Sequence, residues 1–224
     1  MREKLEKKIC ERPADLKRHQ AYAAWLHEND DPRAQLIDLQ LAQESSSLSR
    51  EKRFELESDQ QDLLEQHGRE WMGDVARFVL LHPDEPGFKL KPGCNVWWWR
   101  GWVYGLQLDE LTLKLARILL QSKEMRLFRR LVLTEPVNAS CDYLHEWGLL
   151  DHIKEVDLSY GRITDKGAMT LAADRSLKKL NVVDLTGNQL TEEGLTALSK
   201  AFPKALLDDQ NPIIIRRDDA DWED

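Results

Sequence analysis

The chain has 224 residues, of which 42% are hydrophobic and 32% are charged, and its formal net charge is −8. This composition predicts a soluble, folded chain with enough apolar residues for one large domain or two small ones, and it argues against nucleic-acid binding through a broad basic surface. No run of about 18 apolar residues occurs, which excludes a membrane-spanning helix, and the mixed charges of residues 1–8 do not fit a secretory signal.

The three cysteines, Cys10, Cys94 and Cys141, are odd in number and far apart in the sequence. That pattern favours reduced thiols over disulfides or a metal site. It predicts a cytoplasmic protein without a bound metal or other cofactor.

The first 80 residues are predicted to form a helical domain. A first helix stops at Pro13, a second follows, and Pro32 suits the first position of a third. Ser45–Ser49 breaks the apolar pattern and predicts a loop, after which a polar helix is expected over Arg50–Gln66.

A linker is predicted at residues 81–94, because its spacing of prolines and glycines forbids a long regular element. The aromatic segment that follows includes Trp97, Trp98, Trp99 and Trp102. These rings could form a stacking platform for sugars or bases, or could cover the open end of a repeat array. The structural role is the preferred interpretation.

Two stretches of the C-terminal half align at a step of 27 residues: Ile153–Ser159 and Leu180–Thr186. Both carry apolar residues at positions 1, 4 and 6, and two earlier copies of the pattern precede them. Such a period predicts stacked strand–turn–helix units that bury their apolar faces against each other. The apolar triplets are Val103, Leu106 and Leu108; Phe128, Leu131 and Leu133; Ile153, Val156 and Leu158; Leu180, Val183 and Leu185.

Helical segments are expected between these strands, so that successive strands run parallel. Thr164 and Thr191 are predicted N-caps of the last two helices. The fold class is therefore α/β, with an N-terminal helical domain and a short repeat solenoid built on a parallel sheet at residues 95–215. The expected helices are Leu111–Leu120, Tyr143–Leu149, Gly167–Ala173 and Gly194–Phe202.

The strand pattern, with Asn188 after Leu185 and the stretch Leu190–Gly194 closing the turn, resembles a leucine-rich repeat of the ribonuclease-inhibitor-like class. The resemblance implies that Asn188 is buried and hydrogen-bonds the backbone of its turn. Two earlier copies carry Gly161 and Pro136 at the same position, so the ladder of asparagines is incomplete.

The N-terminal part resembles the bacterial repeat-companion domain over roughly residues 2–44. Tyr22–Glu28 and Asp31–Ile37 carry the similarity. Such domains commonly precede leucine-rich repeats, and no catalytic activity is established for them. The resemblance therefore implies a bacterial protein of that architecture and offers no enzyme class.

No catalytic motif is evident. His145 and His152 lie seven residues apart with Gly148 between them, which does not fit a zinc-protease helix. Cys10 falls on an apolar helical face and is interpreted as a packed residue. No phosphate-binding glycine loop occurs.

The preferred function is binding of a protein partner through the concave face of the solenoid, where residues between the buried strand positions point. An inhibitor or regulatory subunit of a bacterial enzyme complex is the alternative, and an enzyme is less favoured. The oligomeric state is left open. The predicted partner-binding residues are Gln107, Asp109, Arg130, Val132, Thr134, Glu155, Asp157, Ser159, Val182, Asp184 and Thr186.

The last nine residues, 216–224, form an acidic tail. The tail is interpreted as a disordered end or as a short docking motif anchored by Trp222.

Overall fold

The computed structural model describes residues 1–85 and 87–212, so the predicted tail at 216–224 and the end of the predicted repeat domain lie outside the described residues. Helices make up the first part of the chain. They are α1 (Arg2–Glu11), α2 (Leu16–His27), α3 (Arg33–Gln43), α4 (Arg50–Met72) and the single turn α5 (Ala76–Val79).

Local sequence explains where these helices begin and end. Asp15 and Ser49 accept hydrogen bonds from the backbone N–H groups of Lys17 and Lys52, which caps α2 and α4. The expected loop at Ser45–Ser49 is present. However, α4 continues beyond the expected end at Gln66, because its last residues are buried, and it stops only at Gly73, whose φ is +56°.

The sheet begins with an antiparallel hairpin of β1 (Asn95–Trp99) and β2 (Trp102–Leu108). Arg100 and Gly101 form its two-residue turn with φ values of +48° and +79°. A turn this short joins only antiparallel neighbours, so the predicted parallel sheet carries one further, antiparallel strand, β1, which the repeat pattern did not predict.

The remaining strands are parallel, and the sheet order is β1-β2-β3-β4-β5. Each strand of the parallel part is followed by a helix, which confirms the α/β class. Beyond β5, Leu206 makes a parallel bridge to Asp184. The elements are β3 (Arg130–Leu133), β4 (Glu155–Asp157), β5 (Val182–Asp184), α6 (Leu113–Gln121), α7 (Asn138–Glu146), α8 (Asp165–Ala173) and α9 (Glu192–Ala201).

The predicted helix at Tyr143–Leu149 is displaced. Helix α7 starts five residues earlier, where the Ser140 hydroxyl accepts a hydrogen bond from the Val137 N–H, and it ends before Gly148, whose φ is +64°. The sequence pattern emphasised the apolar residues after the helix, which instead form a 3-10 turn at Leu149–Asp151.

The start of each late helix is capped from the helix before it. Asn138 of α7 accepts hydrogen bonds from the N–H groups of Thr164 and Gly167, at 2.9 and 3.2 Å. Asp165 of α8 likewise accepts from the N–H groups of Thr191 and Gly194, at 2.8 and 3.2 Å. The predicted cap by the Thr191 side chain is confirmed, whereas Thr164 occupies the N-cap position without a cap bond from its own side chain.

The core is continuous between the helices and the sheet. One buried cluster joins Met72–Leu80 to the inner residues of all the parallel strands, and it extends to Phe202. A second cluster packs Ile9, Tyr22 and Ile37 against Trp102 and other residues. The division of the chain at residue 80 stays a prediction.

Within the described ranges, no helix has the combination of length and apolar character that crossing a membrane requires.

Candidate functional site

The predicted partner-binding residues lie on the sheet face opposite the inner core residues. Leu106, Leu131, Val156 and Val183 are in register and buried. Because side chains alternate along a strand, the residues on either side of this buried row point to the other face. We call that surface the open face of the sheet.

Two rows cross the open face. Gly105, Arg130, Glu155 and Val182 are aligned in the first, and Gln107, Val132, Asp157 and Asp184 in the second. The structure therefore brings together the predicted residues of four consecutive strands, with Asp157 directly beside Asp184.

The predicted residues beyond the strand ends are hydrogen-bonded to neighbouring carboxylates. The Thr134 hydroxyl donates to Asp109 at 3.0 Å, and the Ser159 hydroxyl donates to Asp157 at 2.7 Å. The backbone N–H of Thr186 donates to Asp184 at 2.9 Å. These bonds fix the carboxylates in place, so the surface is ordered before anything binds to it.

Exposure differs along the two rows. Val182 is 40% exposed although it is apolar, while Val132 is only 9% exposed and offers little contact area. Four of the predicted residues are acidic and only Arg130 is basic. The open face therefore favours a partner surface with positive charge and some apolar area.

Two aromatic residues at this site were not among the predicted partner-binding residues, although Trp97 was considered as a stacking residue. Trp97 is the register partner of Gly105, and the Arg130 guanidinium lies 4.4 Å from its ring centroid. Tyr104 donates to Glu155 at 3.3 Å; burial and the charge of Glu155 raise the pKa of its hydroxyl. Trp97 can be assigned to this face from the sequence only if its segment is recognised as a strand that pairs with β2 in a hairpin.

The other tryptophans of this segment are packed against the helices. Trp98 lies against Trp71 and Phe88, Trp99 against His19, and Trp102 against Tyr22. These contacts match the structural interpretation of the segment, in which the rings cover the first edge of the sheet.

Asn188 makes the turn contacts that the leucine-rich repeat resemblance implies. It is fully buried, and its amide donates to the carbonyls of Leu158 and Leu185 at 2.7 and 2.9 Å. Its oxygen accepts from the Ile163 N–H at 3.0 Å. One side chain thereby joins the turns of two successive repeats.

The histidine and cysteine candidates occupy ordinary surroundings. The His145 ring lies 2.9 Å from Asp174 on the surface, and His152 is exposed. In the part of the chain that the structure describes, no group of three or more His, Cys, Asp or Glu side chains could hold a metal ion. Burial raises the pKa of Cys10, and it raises the pKa of Cys141 to about 12.

Comparison with known families identifies a leucine-rich repeat region. Residues 151–172 and 176–199 match the family model described as Leucine Rich repeat. These segments contain β4, β5 and most of α8 and α9. Repeats of this kind are typical protein–protein interaction modules and are generally not enzymes. Neither a curated protein nor a solved structure gives a significant match to the chain.

Proposed function

We propose that this protein is a non-enzymatic interaction module that binds a protein partner through the open face of the sheet. In this proposal residues 95–215 form a short leucine-rich-repeat solenoid, and the open face is its concave surface. The observation that carries the proposal is the pair of continuous rows across β2–β5, in which Asp157 and Asp184 are fixed by neighbouring hydroxyl and backbone groups.

The charge of the open face indicates which kind of partner surface it can bind. The carboxylates of Asp109, Asp157 and Asp184 are fixed by neighbouring hydroxyl or N–H groups, and Arg130 lies 3.7 Å from Glu155. The net negative strip suits a basic patch on the partner, and Val182 supplies an apolar contact at its edge.

The N-terminal helices are proposed to be a repeat-companion domain of bacterial type that holds the first edge of the sheet in a cytoplasmic protein. Tyr22, Leu26, Ala34 and Ile37, which belong to the motifs that carry that resemblance, are buried in one cluster with Trp102. The motifs thus contribute to the joint between helices and sheet, and this supports an architectural role.

The test is a binding experiment with paired charge reversals. Affinity capture with the full chain, followed by mass spectrometry, should recover a stoichiometric partner. Asp157→Arg with Asp184→Arg should abolish its binding, and Val182→Arg, which disturbs no side-chain hydrogen bond, should weaken it at least about tenfold.

The control carries the same charge change elsewhere. Glu57→Arg with Glu146→Arg alters two exposed helical residues that make no ion pair within the described chain, and it should leave binding unchanged. Circular dichroism checks that every variant is folded. Binding that survives both open-face variants, or that is lost equally in the control, would refute the proposal.

A further inference from the structure

A cavity of about 370 Å³ lies where the N-terminal helices meet the sheet. Its walls come from the start of α1, the start of α3, the end of α4, the first residue of β2 and the turn at residues 123–126. Its volume falls in the range of about 300–1,000 Å³ that small-molecule pockets occupy. It is separate from the open face.

Arg33 is the unusual residue of this cavity. It is only 6% exposed, and its guanidinium lies 5.5 Å from the ring centroids of both Trp71 and Trp102. Its side chain donates no hydrogen bond to any residue in 1–85 or 87–212, and its Nε is buried without an acceptor. The aromatic faces attract the charge, but they supply no acceptors for the five N–H donors of a guanidinium.

The other cations of the cavity already have partners. Arg2 and Arg126 both bind Glu6, which also accepts the Tyr22 hydroxyl at 2.8 Å, and Lys123 lies 3.8 Å from Glu124. Arg33 is therefore the cavity cation with no carboxylate within ion-pair distance among the described residues. A planar carboxylate matches its fork of donors.

Two carboxylates of the same cavity are also unpaired. Glu3 and Glu70 make no ion pair with a described residue, although both line the cavity. A phosphate would bring two negative charges next to these groups and Glu6. A ligand with one carboxylate and one ammonium group would match Arg33 and the glutamates together.

We propose that this cavity binds a free α-amino acid, with its carboxylate on the Arg33 guanidinium and its ammonium group toward Glu3 and Glu70. The proposal goes beyond partner binding at the open face and does not depend on it. The site is formed jointly by the helices and by the beginning of the repeats, so a bound ligand strengthens the contact between them.

The test uses the indole N–H signals of Trp71 and Trp102 in nuclear magnetic resonance spectra of the full chain, assigned with Trp71→Phe and Trp102→Phe. Each of the twenty common amino acids is titrated separately, with sodium acetate and inorganic phosphate as comparison ligands. At least one amino acid should shift these signals saturably, acetate should bind more weakly, and phosphate should not bind.

Substitutions test the carboxylate-binding and the ammonium-binding parts of the site independently. Arg33→Met keeps the packing between the rings and should weaken amino-acid binding about tenfold or more, and Arg33→Lys should also weaken it because the fork is lost. Glu3→Gln with Glu70→Gln should weaken amino-acid binding but should not weaken acetate binding, because acetate has no ammonium group and is repelled by the two carboxylates. Arg77→Met, at an exposed arginine near Asp74, is the matched control and should bind normally.

Four results would overturn the proposal: no saturable shift with any amino acid, wild-type affinity in both Arg33 variants, acetate binding as tight as amino-acid binding, or equal binding of phosphate. If Arg33→Met does not fold, Arg33→Lys and the double glutamine variant still decide the matter.

Discussion

Glu6 shows how one buried side chain connects distant parts of the chain. It is 5% exposed, and it accepts hydrogen bonds from Arg2 and Tyr22 and an ion pair from Arg126. Burial alone would raise the pKa of its carboxyl group, but the two hydrogen bonds and the charges of Arg126 and Arg2 outweigh burial and lower it. Glu6 is therefore an ionised anchor between α1 and the turn before β3.

Glu6→Gln should lower the free energy of unfolding at neutral pH by about 2–3 kcal/mol, because the two arginines lose their shared charge. A lowered folded-state pKa stabilises the fold above the unfolded value of about 4.3, and this contribution is lost as the pH falls through the folded value. Urea unfolding at several pH values should therefore show the gap between wild type and variant closing in acid.

The matched control for that series is Glu57→Gln, an exposed glutamate in the interior of α4, which should change stability by less than about 0.5 kcal/mol at any of these pH values. A gap between Glu6→Gln and wild type that stays constant into strong acid would show that the ionised carboxylate is not the source of the stability.

At the scale of elements, the late repeats are held together by a regular capping arrangement. Asn138 and Asp165 lie 27 residues apart, and each caps the following helix. The capped N–H groups include those of Gly167 and Gly194, where an added Cβ would come within 2.7 and 2.3 Å of the capping oxygens. These glycines are needed because a side chain would occupy the position of the cap.

Asp165→Ala should destabilise the protein by about 1–2 kcal/mol through loss of the α9 cap. Gly194→Ala should be destabilising in the wild type, where it displaces Asp165, but neutral or stabilising when Asp165 is already alanine, because alanine favours helix over glycine by about 1 kcal/mol. Chemical unfolding of the wild type, the two single variants and the double variant measures the coupling free energy between positions 165 and 194. It is expected to be about 1 kcal/mol or more.

Lys166→Ala, at the exposed neighbour of Asp165, is the control and should have little effect. Additive effects of the Asp165 and Gly194 substitutions would contradict the capping account.

At the scale of the whole molecule, the β1–β2 hairpin attaches the helices to the sheet. An added Cβ on Gly101 would lie 2.5 Å from Cγ1 of Ile37 in α3. Arg100 binds both carboxylate oxygens of Glu44 at 2.7 and 2.8 Å and lies over Trp99. The turn is thus fixed by close packing against α3 and by a bidentate ion pair with Glu44, the residue that follows α3.

Gly101→Ala should therefore lower the free energy of unfolding by about 2–3 kcal/mol, through its positive φ and through the clash with Ile37. Hydrogen exchange should increase in both α3 and β2, because the contact joins them. Gly148→Ala is the matched control, since Gly148 has φ of +64° but no atom within 4 Å of its added Cβ.

Gly148→Ala should cost only about 1–2 kcal/mol, with its effect confined to the end of α7. Two results would contradict this role of the hairpin in joining the helices to the sheet. One is a Gly101→Ala variant whose hydrogen exchange increases in β2 but not in α3. The other is a loss of unfolding free energy no larger than that of Gly148→Ala.

Apolar spacing was enough to predict the four parallel strands β2–β5 and their register, but not the antiparallel strand β1. Leu131, Val156 and Val183 were assigned to equivalent buried positions, and they are aligned in the sheet. The open-face residues follow from that register by alternation. The role of Asn188 came from the resemblance, since its burial depends on a turn whose form the spacing does not define.

What could not be predicted depends on groups that are far apart in the sequence. Arg126 reaches Glu6 across 120 residues, and Arg33 lies between rings of α4 and β2. A short repeat in the sequence gives no information about contacts between residues so far apart. The position of α7 was missed for a different reason, because its start is set by Ser140 and its end by Gly148 rather than by apolar residues.

The capping arrangement gives the repeat region a direction. Helix α8 depends on Asn138 and α9 depends on Asp165, whereas among the described residues no side chain of α8 caps the start of α7 and none of α9 caps the start of α8. Damage to one repeat should consequently spread toward the carboxyl terminus and spare the units before it. A shortened chain that has lost α9 should keep α8 properly started, but a chain that lacks α7 should let α8 fray.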